Sequence, residues 1–270
     1  MDVFFSIFFV LVVLYLILVG PRTFGVVDKE PFQGRNYAHR GLFDNASHAP
    51  ENSLAAIRKA VEAGYGIEWD VQLSKDDVPV IFHDATLKRM CGVEGYVWDY
   101  TLEELKGFRL AESAEAIPTL EEALRLVNGR VPLIIEYKLD RVQTRVCELS
   151  DKLLRGYKGA YCMESFHPLA LIWYRKNRPD IMRGQLSGEL WKEDKKYKGL
   201  QYYALGYLLS NVVTRPDFVA YNHLHHKNLS RRLFAFLGGL SVCYTVKSQK
   251  EYEEAQKHFS MIIFDSFIPR

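Results

Sequence analysis

The sequence predicts an α/β protein: a TIM-type (β/α)8 barrel with a rim hairpin and an insertion after the third strand run, preceded by one N-terminal transmembrane helix. Three observations carry this. Residues 3–19 read VFFSIFFVLVVLYLILV, uncharged and set apart from everything that follows. From residue 36 onward short apolar runs alternate with amphipathic helical patterns, the signature of a parallel sheet with helices outside. About 240 residues remain for that alternation, near the usual size of such a barrel.

At about 1.5 Å per residue the apolar run is just long enough to cross a hydrocarbon core with little tilt. A cleaved signal peptide is the competing reading. It needs a basic leader and a small-residue cleavage site, whereas Asp2 precedes the run and Gly20-Pro21-Arg22 follows. The chain therefore divides into a membrane anchor (1–21), a short linker (22–35) and a barrel domain (36–270), with no repeat or low-complexity tract to split the last. Arg22, Lys29 and Arg35 follow the run, while only Asp2 and the terminal amine precede it. That bias predicts a single-pass protein of the cell membrane with the barrel on the cytoplasmic side, the extracytoplasmic topology being the alternative. A net charge of +2 is too small to argue for a nucleic-acid partner. Cys91, Cys147, Cys162 and Cys243 match no zinc spacing and read as buried free thiols.

Strands are expected over 36–38, 66–71, 79–82, 132–136, 160–163, 183–186, 218–221, 241–245 and 261–264. Helices are expected at 53–63 after Asn52 as a cap, and after the capping-box patterns Thr101-x-x-Glu104 and Thr119-x-x-Glu122. Nine strands are one too many for the barrel. The second and third are separated only by a short polar stretch around Leu73-Ser74-Lys75-Asp76-Asp77-Val78, too short for a parallel crossover. Run 79–82 therefore returns antiparallel along 66–71 as a rim hairpin, which brings His83 beside Glu68. Residues 85–118, with Tyr96, Trp98, Tyr100 and Phe108, form an insertion over the mouth. No final helix is written after 261–264, and the sequence does not show whether the anchor or an early segment covers that gap.

Glu68 and Asp70 lie two apart on a strand, so both point to one face, here the barrel interior. Glu136 ends the apolar run Val131-Pro132-Leu133-Ile134-Ile135, at the strand end where barrel enzymes carry catalytic groups. Three convergent carboxylates suit a hard divalent ion, Mg²⁺ or Ca²⁺. Arg40 follows the first strand and Lys138 lies two residues past Glu136. Cations beside a metal site suit a phosphate-bearing substrate. His39 and His83 end neighbouring strands and can serve as general acid and base. The triplet His223, His225 and His226 reads as a solvated loop, because no carboxylate is placed in sequence to complete a metal site. The run 192–196 reads as a solvated turn.

Taken together, Ala38-His39-Arg40-Gly41, Pro50-Glu51-Asn52-Ser53, Glu68-Trp69-Asp70-Val71-Gln72-Leu73-Ser74-Lys75-Asp76, His83-Asp84 and Glu136-Tyr137-Lys138 resemble the glycerophosphodiester phosphodiesterases of the PLC-like barrel superfamily. Weaker echoes extend the likeness over residues 36–265. The resemblance implies that Glu68, Asp70 and Glu136 bind the metal, that His39 and His83 are the acid–base pair, and that Arg40 and Lys138 hold phosphate. It adds Glu51, which organises the metal and histidine shell on the substrate side, and Tyr244 as a substrate-binding position. The family often has tryptophan at Tyr244 and asparagine at Lys247, and its closing Thr-Asp-Xaa-Pro element stands here as Phe264-Asp265-Ser266-Phe267. The implied reaction yields sn-glycerol 3-phosphate and an alcohol. A lysophospholipase D acting on a monoacyl lipid is the rival enzyme, and an inert membrane binding module the rival of another class.

Overall fold

In the computed structural model, which describes residues 2–25 and 27–270, the chain runs α1 (Asp2–Val19), β1 (Asn36–His39), α2 (Leu54–Glu62), β2 (Gly66–Leu73), β3 (Pro79–Ile81), α3 (Lys88–Cys91), α4 (Leu102–Gly107) and α5 (Leu120–Val127). It continues through β4 (Leu133–Tyr137), α6 (Arg145–Leu154), β5 (Tyr161–Ser165), α7 (Pro168–Asn177), β6 (Arg183–Ser187), α8 (Leu190–Glu193), α9 (Leu200–Gly206) and α10 (Asn211–Thr214). The last elements are β7 (Phe218–Asn222), α11 (Leu229–Phe236), β8 (Leu240–Val246), α12 (Gln249–Ala255) and β9 (Met261–Phe264). Among the described residues nine strands form one sheet in the order β1-β9-β8-β7-β6-β5-β4-β2-β3, and β1 also pairs with β2, which closes eight parallel strands into a ring. β3 is the extra strand, antiparallel to β2 with Val71 opposite Ile81. The short connection left no room for a crossover, and the hairpin follows from that.

Side chains alternate across the ring as the pleat requires. Leu133, Ile135 and Trp69 point outward into the layer shared with the helices. Tyr37, Ile134, Cys162, Phe218, Ala220, Val242 and Ile263 fill the interior. Gly184 is what lets Phe218 lie across the ring, since a Cβ there would stand 2.0 Å from the phenylalanine ring. Above this apolar layer the same inward positions carry Glu68, Asp70, Glu136 and Glu164, so the barrel is apolar at its floor and acidic at its mouth.

Several local expectations are corrected. Helix α2 is capped by Ser53, whose Oγ accepts from Ala56 N at 3.1 Å. Asn52 instead takes φ +60° and sends its side chain into the mouth. Both capping boxes form, at Thr101 and Thr119. The insertion has its own core of Phe82, Leu87, Met90, Val97 and Leu105 against β3. No helix follows β9 among the described residues, and α1 does not cover the gap. There Phe267 packs edge-on to Phe264 and Tyr252, and Tyr65 to Phe264. Helix α1 leans on α10 and α11 instead, with Tyr15 Oη 2.6 Å from Ser230 Oγ and Asn211 Nδ2 donating to Val19 O at 2.9 Å. Its large apolar side chains from Val3 to Leu14 are exposed. Among the described residues no helix is long and apolar enough to cross a membrane, so the expected span over 1–21 is met as an exposed apolar helix and not as a full crossing.

Candidate active site

Strands β2 and β4 build the acidic centre. Their register sets Asp70 opposite Glu136, and Glu68, Asp70 and Glu136 each offer an oxygen within 4.8 Å of the others. All three are buried. Burial and then Asp70 and Glu136 push the Glu68 carboxyl well up, and burial likewise raises Glu136. Against burial, Lys138, His83 and Arg40 hold Asp70 well below the ordinary range. Lys138 Nζ lies 2.9 Å from Asp70 Oδ1 and 2.5 Å from Glu136 Oε1, and it stands where positive charge is required. Glu68 Oε1 is buried with no hydrogen-bond partner among the described residues. A donor set of hard, mutually repelling carboxylate oxygens, one of them unpartnered, fits a divalent cation of the Mg²⁺ or Ca²⁺ type.

The loop after β1 is shaped for its part. Arg40 takes φ +56° and Gly41 φ +83°, and a Cβ on Gly41 would meet the Ala56 backbone at 2.8 Å. Asn52 N donates to Arg40 O at 2.9 Å, tying two left-handed residues together, a conformation that costs about 1–3 kcal/mol for each non-glycine and persists where its surroundings enforce it. Arg40 thereby reaches Glu51 Oε1 at 2.7 Å and Asp70 Oδ2 at 3.5 Å, while Asn52 Nδ2 donates to Asp70 Oδ2 at 2.9 Å. From the insertion, Arg89 Nη2 and Nη1 reach the two oxygens of Glu51 at 2.7 and 2.9 Å. Against burial, Arg89 and Arg40 hold Glu51 down at about 2.

The two histidines are each oriented by a carboxylate. His39 Nδ1 lies 2.8 Å from Asp265 Oδ2, and His39 Nε2 lies 3.9 Å from Glu68 Oε2. Against burial, His39 and Ser266 keep Asp265 below its ordinary value, so the ionised Asp265 accepts a hydrogen bond from Nδ1–H of His39 and leaves Nε2 turned to the mouth. Burial lowers the His39 pKa. His83 Nδ1 lies 2.6 Å from Asp84 Oδ1, and Arg89 Nε holds the other oxygen of Asp84 at 2.6 Å. The hairpin places His83 by Asp70 and Glu136 rather than by Glu68, because Phe82 N pairs with Asp70 O. Tyr244 stands on the wall of β8, its Oη donating to Ser187 O at 2.8 Å and its ring edge-on to Phe166.

Residues 39–235 match the model of the glycerophosphoryl diester phosphodiesterase family. The chain belongs to that family. It is 44% identical over 162 residues to a glycerophosphodiester phosphodiesterase of Caldanaerobacter subterraneus, covering 55% of this chain and 65% of that protein. Over 157 residues it is 35% identical to one of Bacillus altitudinis, covering 54% and 63%. The matches thus span just under two thirds of these relatives. A phosphodiesterase of Oleispira antarctica, solved with the product sn-glycerol-3-phosphate, shares the fold at TM-score 0.69 and 23% identity, over 86% of this chain and 93% of that one.

Four residues of the candidate site escape a reading of the sequence. Glu164 lies opposite Glu136 on β5, and burial and Glu136 raise its pKa well above the ordinary value. It is a strand-end acid of the same kind as Glu136, one residue past the expected end of its strand. Asp265 follows β9 in the altered closing element. Asp84 adjoins His83 in the family motif, and Arg89 is visible only once the insertion folds back. The loop histidines are also less isolated than expected, since His226 stacks on His258 and shares a cluster with Glu254.

Proposed function

We propose that the chain is a metal-dependent glycerophosphodiester phosphodiesterase, cleaving substrates such as glycerophosphocholine or glycerophosphoethanolamine to sn-glycerol 3-phosphate and an alcohol. The observation that carries this is the meeting of Glu68, Asp70 and Glu136 with two carboxylate-oriented histidines and with Arg40 and Lys138 in one barrel mouth. Family membership supports it. Glu68, Asp70 and Glu136 would hold the ion, Mg²⁺ or Ca²⁺, which when bound would polarise the phosphoryl oxygens. Arg40 and Lys138 bind and orient the phosphate, and Glu51 fixes the guanidinium of Arg40. Of His39 and His83, one removes a proton from the attacking hydroxyl, that of water or that of the substrate's own glycerol with water then opening the cyclic phosphate, and the other protonates the leaving alcohol oxygen. Release of choline or ethanolamine, abolished by EDTA and restored by Mg²⁺ or Ca²⁺, is the test. An enzyme that releases neither in the presence of both ions overturns the reading.

A lysophospholipase D activity is the second reading, and one observation favours it. A groove of about 990 Å³ leads from His83, Glu136 and Lys138 to Phe166, Leu190, Tyr202, Leu205 and Leu209, an apolar path wide enough for an acyl chain. Comparing kcat/KM for lysophosphatidylcholine and glycerophosphocholine decides between the two. Helix α1, whose apolar side chains are exposed, attaches the enzyme to the cell membrane, with the barrel on the cytoplasmic side, where the anionic leaflet attracts the flanking Lys29 and Arg35. Protease added to intact cells or spheroplasts should leave the barrel whole; digestion without lysis reverses the topology.

A further inference from the structure

The foot of α1 forms a second groove that the proposed reaction does not use, about 680 Å³ in volume. One wall is apolar, made by Leu16 and Ile17 of α1 and by Phe24, which is 88% exposed. The other carries Arg175, Arg183 and Arg215, and no carboxylate lines the groove among the described residues. Arg22 also lines it but is neutralised, with Nε 3.1 Å from Asp217 Oδ1. The other three arginines form no ion pair among the described residues. Backbone carbonyls hold them instead: Arg175 Nη1 donates to Val213 O at 2.5 Å, Arg215 Nη1 to Ile17 O at 2.8 Å, and Arg183 Nε to Thr214 O at 2.9 Å. Those bonds fix the guanidiniums without cancelling their charge. Arg183 is 3% exposed, and its Nη1 has no hydrogen-bond partner among the described residues.

A buried, unneutralised guanidinium is costly unless an anion shares the site. Guanidinium forks suit phosphate oxygens, which they bind in pairs. The adjoining apolar wall gives no favourable contact to a free inorganic anion but would lie along an acyl chain. Basic pockets beside a membrane helix bind anionic head groups, and an exposed apolar ring such as Phe24 can bury itself at the boundary of head groups and acyl chains. We propose that this groove binds an anionic phospholipid, its head-group phosphate between Arg175, Arg183 and Arg215 and its chains along the apolar flank of α1. The proposal rests on the reading of α1 as the membrane attachment.

The test uses the full chain in mild nonionic detergent, titrated with dihexanoylphosphatidylglycerol, with dihexanoylphosphatidylcholine and with inorganic phosphate, and read by Tm. Phosphatidylglycerol should raise Tm saturably, as a ligand of the native state does, while the other two leave it unchanged. R175Q keeps the contacts of α1 and should require a several-fold higher phosphatidylglycerol concentration for the same rise; R175Q/R215Q should lose the rise. If the double variant fails to fold, R175Q alone decides. An equal rise with phosphatidylcholine or with phosphate overturns the proposal. So does the absence of any rise with phosphatidylglycerol, or an unchanged titration in R175Q. Flotation of the unaltered chain with phosphatidylcholine vesicles tests α1 separately: failure to float removes the membrane attachment, whereas a lost phosphatidylglycerol response with normal flotation removes only the groove.

Discussion

Glu51→Gln isolates the charge that holds the insertion to the barrel. The carboxylate is 4% exposed and receives Arg40, two nitrogens of Arg89 and Asn45 Nδ2. Its displacement from 4.5 to about 2, at about 1.4 kcal/mol per pH unit, corresponds to about 3 kcal/mol of stability at neutral pH. That lies at the low end of what breaking a buried pair from one side costs, about 3–5 kcal/mol. The sign follows from the direction. A carboxylate depressed in the folded state contributes fully above 4.5 and loses its contribution as pH falls through about 2. The deficit of Glu51→Gln against the parent chain should therefore be about 3 kcal/mol at pH 7, narrow to about 1 kcal/mol at pH 3, and nearly close at pH 2. Urea unfolding of both proteins in detergent at each pH measures it. A deficit below about 1 kcal/mol at pH 7, or one that stays constant down to pH 3, refutes the assignment.

Replacing Glu68, Asp70 or Glu136 by Ala should abolish turnover, since two remaining carboxylates cannot hold the ion's geometry; full activity after exhaustive chelation would end the metal reading. His39→Ala and His83→Ala should each lower kcat by about 10²–10⁴, and near-normal kcat across the pH range in either would dismiss it from proton transfer. Asp265→Asn should lower kcat by about 10²–10⁴ with KM little changed, because the amide no longer fixes the His39 tautomer. A pH–rate profile superimposable on that of the parent would leave Asp265 without a positioning role.

The meeting of the three carboxylates was legible because two of them need only the alternation of a strand, and the third a strand end. The rim hairpin was legible because a parallel crossover has a minimum length. Asn52 and Ser53 are equally good caps by composition, and only the left-handed turn at Arg40 decides that Asn52 faces Asp70. Asp265 and Arg89 escaped for a different reason. Each owes its part to a contact made far along the chain, 226 residues for Asp265 with His39 and 38 for Arg89 with Glu51, and no local pattern records such a meeting. Tyr244 was placed on the right strand, but its hydroxyl is committed to Ser187 O and its ring lies edge-on to Phe166, which a sequence cannot record.

The ring closes where the first strand meets the last, and this gives the protein a timetable. On the ribosome β2 and β4, which carry the carboxylate trio, emerge well before β9. The histidine of β1 has to wait for Asp265, which follows β9. Until then β1 and β8 are open edges as well, exposed to pairing with other chains. Under the proposed reaction a nascent or clipped polypeptide that ends before Asp265 would lack the partner of His39 and turn over little. Hydrolysis of the cell's glycerophosphodiesters would then be withheld from unfinished molecules, and the same late event that switches the catalyst on also seals its sticky seam.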